Sequence, residues 1–142
     1  MRPSILVFAV VWAGLARLGA RFGFDAAYDV GYAAIALLAA IIAATFAWLW
    51  RIRATPMALG MALSWAGCAG LVGYWWTFSQ AGRPPAQGIE HQILWACVSL
   101  HLAGSVAHLR VLANAHGGGR ALFAATLGGV IAASLALAAL VR

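Results

Sequence analysis

At 142 residues, with 65% hydrophobic and 8% charged side chains and a mean hydropathy of +0.92, the chain has too little polar surface to cover a water-soluble globule. Its formal net charge of +6 comes from arginines set one or two at a time between apolar runs, which reads as topology signalling and excludes a nucleic-acid surface. Cys68 and Cys97 each fall inside an apolar run, which excludes a secreted disulfide framework or a zinc knuckle.

The chain reads as a single integral-membrane domain over residues 1–142, an all-α polytopic transmembrane bundle. Five apolar segments, about 4–22, 27–50, 56–79, 90–113 and 120–141, supply the spans, and the last four each reach the roughly 20 residues that cross a ~30 Å hydrocarbon layer. The first has two readings. It is a retained helix whose Arg17 snorkels to the interface, or, given its Met-Arg start and its short apolar core ending in L-G-A, a signal peptide that leaves four spans. Between the first two spans, Asp25 and Asp29 lie beside Arg17, Arg21, Tyr28 and Tyr32, which suggests a salt-bridged turn. Arg51-Ile-Arg53-Ala-Thr-Pro56 is a basic turn with proline opening the third span, Arg83 to Gly88 is a stiff loop, and Gly117 to Gly119 divides the last two spans.

With five spans, Arg2, Arg51, Arg53, Arg110 and Arg120 share one side, and Asp25, Asp29 and Glu90 fall on the other. The positive-inside rule then predicts a bacterial inner-membrane protein with a cytoplasmic N-terminus and a periplasmic C-terminus, the all-arginine, alanine- and glycine-rich composition suggesting the bacterial origin. Trp48 and Trp50 on one side, and Tyr74, Trp75 and Trp76 on the other, form the aromatic belts. Small residues on the third span (Gly60, Ser64, Gly67, Gly70) and the fourth (Ala103, Gly104, Ala107) predict that these two helices pack together.

The fourth span carries unusual chemistry. At ~100° per residue, Glu90, Cys97, His101 and His108 form one stripe flanked by Gly104 and Ser105, while Ile93, Leu100, Leu102 and Val111 take the opposite face, so the stripe should point inward. On the third span Met57, Met61, Ser64 and Cys68 align in the same way. At ~1.5 Å per residue the two sets are level, Met57 with His108, Met61 with His101 and Cys68 with Cys97, a donor set that suits copper as Cu(I) or haem iron. The competing reading is structural: a membrane histidine hydrogen-bonding a serine or carbonyl, and sulfur side chains filling a helix interface. Glu90 and His91 read as a polar helix start, and His116 as solvated.

The L-H-x-x-G-x-x-x-H run from Leu100 to His108 resembles the ligand-bearing helix of small bacterial membrane b-type cytochromes. That resemblance implies haem b on His101 and His108. The other spans hold no histidine, so the opposite ligand would come from a second chain or from Met61. No phosphate loop, H-E-x-x-H or nucleophile elbow is present. The leading expectation is a non-catalytic accessory, anchor or assembly subunit of a larger, redox membrane complex. Its partners would be the lipid bilayer and other membrane-protein subunits or further copies of itself, with no nucleic acid. The alternatives are a b-type cytochrome or quinone-site subunit using His101 and His108, and a copper carrier using Met57, Met61, Cys68, Cys97 and His101.

Overall fold

The structure, a computed structural model, describes residues 2–81, 89–117 and 119–140. It contains five helices: α1 (Arg2–Phe22), α2 (Phe24–Arg53), α3 (Pro56–Ala81), α4 (Ile89–Ala115) and α5 (Gly119–Leu140). Each is long and apolar enough to cross a membrane, as the segment lengths predict for the last four. The chain is an all-α membrane protein.

Local chemistry sets the breaks between helices. Gly23 alone joins α1 to α2, at φ 94°, where its missing side chain matters, and its amide donates to the Gly19 carbonyl at 2.9 Å. Ala54 ends α2 in a left-handed conformation (φ 50°), its amide donating to the Trp50 carbonyl at 2.7 Å. Pro56 keeps Thr55 out of helical geometry and starts α3 afresh. At the far end of α4, exposed His116 donates from Nδ1 to the Leu112 carbonyl at 2.9 Å, so it closes the helix as well as meeting solvent.

The bundle is open. Among the described residues each helix packs only on its neighbours in the chain, and the α2/α3 and α3/α4 seams are by far the largest. Helix α3 therefore lies at the centre of a row one helix thick. It meets α2 where Gly73 faces Ala36 and where Ala69 and Gly73 share a groove with Ala33, Ala36 and Ala40; Ala58 and Ala62, at the same helical phase, are buried. It meets α4 through Gly60, Ser64 and Gly67 on the other side. Helix α1 leans on α2 near Gly19 and Ala27 and then stands off, leaving Ile5 to Val11 exposed and a groove of about 420 Å³ lined by Trp12, Leu15, Tyr28 and Tyr32.

At the end remote from Arg51 and Arg53, the Tyr28 and Tyr32 rings stack with centroids 4.0 Å apart. Asp29 accepts the Ser79 hydroxyl at 2.8 Å, and the Arg21 guanidinium lies 5.4 Å over the Phe22 ring. A hydrogen bond and a cation–π contact thus occupy the place of the ion-paired turn that the sequence suggests.

Candidate functional site

The face of α4 that meets α3 is the one its polar stripe predicts. Cys97, His101, Gly104 and His108 all lie against α3, whereas Ile93, Leu100 and Leu102 are exposed. Glycine makes this approach possible. A methyl added at Gly104 would overlap the Ser64 amide nitrogen and lie 2.6 Å from the Gly60 carbonyl oxygen. One added at Gly67 would overlap the His101 amide and lie 2.6 Å from the Cys97 carbonyl, and at Gly60 it would lie 2.9 Å from the His108 amide. The two helices touch backbone to backbone, so side-chain polar groups can reach across.

His101 reaches across. Its Nδ1 donates to the Ser64 backbone carbonyl at 2.8 Å and lies 3.2 Å from the Ser64 hydroxyl, which in turn is 3.1 Å from the Ser105 hydroxyl. Facing a carbonyl that can only accept, Nδ1 carries a proton. The network is half-buried; counted from Arg53 and Arg110, Ser64 and His101 lie roughly 14–17 Å from the arginine-rich end and Ser105 roughly 8 Å from it.

The sulfur residues lie elsewhere. Gly60, Ser64 and Gly67 take the α4 contact, and the Met57, Met61 and Cys68 stripe lies roughly 80° further round α3, which leaves Met57 40% exposed. The imidazole of His101 is partnered by Ser64, and the His108 backbone sits against Gly60. Cys97 Sγ sits 2.5 Å from where a Gly70 methyl would lie, and Gly70 is two residues, about 200°, round the helix from Cys68. The two free thiols thus lie on opposite sides of α3 and form no rung. Glu90 and His91 have side chains outside the described residues.

Among the described residues no three His, Cys, Asp or Glu side chains converge as a metal centre would require. The backbone contact of α3 with α4 also leaves no width for a porphyrin between His101 and α3. Ser105 is the residue whose role sequence reasoning undervalued. Its position on the flank of the stripe was the available signal. No family model, curated protein or solved structure matches the chain.

Proposed function

We propose that the chain is a non-catalytic accessory or anchor subunit of a larger membrane complex in the bacterial inner membrane, with its N-terminus cytoplasmic and its C-terminus periplasmic. One observation supports this reading: among the described residues the row is one helix thick, with α1 and α5 each held on a single neighbour. Such a row encloses no path across the membrane and offers two broad faces to other subunits. The polar residues at its centre are spent on joining α3 to α4.

Photo-crosslinkers at Phe8 on α1 and Leu135 on α5, both exposed, test the reading in native membranes. Protein adducts are expected at one or both sites. Lipid adducts alone, with a monomer released by mild detergent, would refute it. Orientation has its own test: a reporter active only in the periplasm should be silent after Arg53 or Gly118 and active after Arg83 or Arg142.

A further inference from the structure

Helix α1 carries Arg17 and Arg21 one turn apart near its Gly23 end, which is the end of the row opposite Arg51, Arg53, Arg110 and Arg120. Both are exposed. Asp25 and Asp29 lie at the same end, yet among the described residues neither arginine forms an ion pair or a hydrogen bond: Arg21 meets only the Phe22 ring, and Asp29 is taken by Ser79. At ~100° per residue the two side chains leave α1 about 40° apart, and roughly 110–150° round from Leu15, Leu18 and Gly19, the half-buried residues that face α2. They therefore stand on the outer edge of the row.

At ~1.5 Å per residue Arg21 lies roughly 3 Å and Arg17 roughly 9 Å below the Gly23 turn, a range that matches a headgroup layer roughly 5–8 Å thick on each side of the hydrocarbon. A cation at that depth needs an anion or water beside it. Beneath the arginines, on the same edge, come Gly14, Val10 and Leu6, all exposed, with open space at Gly14. Arg17 to Leu6 covers roughly 16 Å, about half of the ~30 Å hydrocarbon layer. Two unpaired cations thus stand at the head of an apolar strip one leaflet long.

We infer that this edge of α1 binds an anionic phospholipid, its phosphate held between Arg17 and Arg21 and an acyl chain lying along Gly14, Val10 and Leu6. The charges select the headgroup. Paired guanidiniums suit the several acceptor oxygens of a phosphate and repel the ammonium of a zwitterionic lipid. The strip below them selects a lipid over free phosphate, which would gain nothing from it. A carboxylate on a partner helix would have to be buried at the depth of Arg17, a cost that a phosphate already resident in the headgroup layer does not meet. The groove lined by Trp12, Leu15, Tyr28 and Tyr32 opens on the other side of α1 and takes no part. Because the site lies on the edge of the row and not on its broad faces, this inference is independent of the accessory-subunit reading.

The test places the full-length protein in phosphatidylcholine nanodiscs containing a phosphatidylglycerol with a diazirine on its acyl chain, and maps the photo-adducts by peptide mass spectrometry. Adducts are expected along residues 6–14, displaced by unlabelled phosphatidylglycerol and not by inorganic phosphate. Arg17→Gln combined with Arg21→Gln should lower them by at least about tenfold, as loss of a charge-assisted hydrogen bond implies, whereas Arg51→Gln with Arg53→Gln should leave them unchanged. Circular dichroism and monodisperse elution verify the fold of each variant. Equal labelling by a photoreactive phosphatidylcholine, displacement by inorganic phosphate, or labelling unchanged in the Arg17 and Arg21 variant would overturn the assignment. A photo-crosslinker at Val10 that captures only protein in native membranes would also overturn it, by placing a partner helix on this edge.

Discussion

The two large seams of this protein share α3 but are built differently. Toward α2, α3 offers alanines, and Ala39 and Ala43 of α2 and Ala58 and Ala62 of α3 are buried. Toward α4 it offers Gly60 and Gly67, so that main chain meets main chain and His101, Ser64 and Ser105 can bond across. In lipid, helices gain little from hiding apolar surface from one another, so both seams depend on close packing. The alanine seam carries its directional bond at one end, where Ser79 donates to Asp29. The glycine seam places its bonds along the closest backbone approach, and so sets the rotation of α4 as well as its proximity.

The largest break in this contrast should come from Gly104→Ala or Gly67→Ala. The added methyl meets backbone, which cannot move aside, so the loss should reach or exceed the ~3 kcal/mol upper end typical of overpacking, read as unfolding in mixed micelles with increasing SDS. Tolerance of both variants would mean that the helices are further apart. Next is His101→Ala, which leaves the Ser64 and Ser105 hydroxyls to each other and should cost ~1–2 kcal/mol in the same assay, with His101→Gln recovering part of it. A Gln variant no better than Ala would deny the hydrogen bond its role.

The reverse exchange on the other seam sharpens the comparison. Ala39→Gly removes a buried methyl and raises chain entropy, and should cost ~1 kcal/mol, well short of the glycine-seam variants. A loss as large as that of Gly104→Ala would erase the distinction between the seams. The smallest effect belongs to Ser105→Ala, at about 0.6 kcal/mol, the usual worth of one interhelical hydrogen bond in a membrane protein. A double-mutant cycle with Ser64→Ala should show the two losses to be coupled. Strict additivity would place the hydroxyls out of contact.

Much of this was legible in the residues. The inward face of α4 followed from the phase of Cys97, His101 and His108, and the α3/α4 pairing from the small residues on each. The partners of that face were harder to read, because α3 carries two stripes that a helical wheel cannot rank. Met57, Met61, Ser64 and Cys68 make one, and Gly60, Ser64 and Gly67 the other, with Ser64 between them. Assigning both to the α4 contact asks one helix to present about 80° more of its circumference than a close backbone approach can use. Backbone proximity selects the glycines, and the sulfur atoms are left at the edge of the seam.

Sequence alone determined the last four helices and the residues able to cross a membrane there, because apolar length, proline and glycine act locally and need no partner, and it left the first segment with two readings. Only the tertiary structure decided that the helices form an open row, that His101 bonds to Ser64, and that Cys68 and Cys97 lie on opposite sides of α3. These outcomes depend on how closely two backbones approach and at what rotation, and that is set by every small residue along both faces at once.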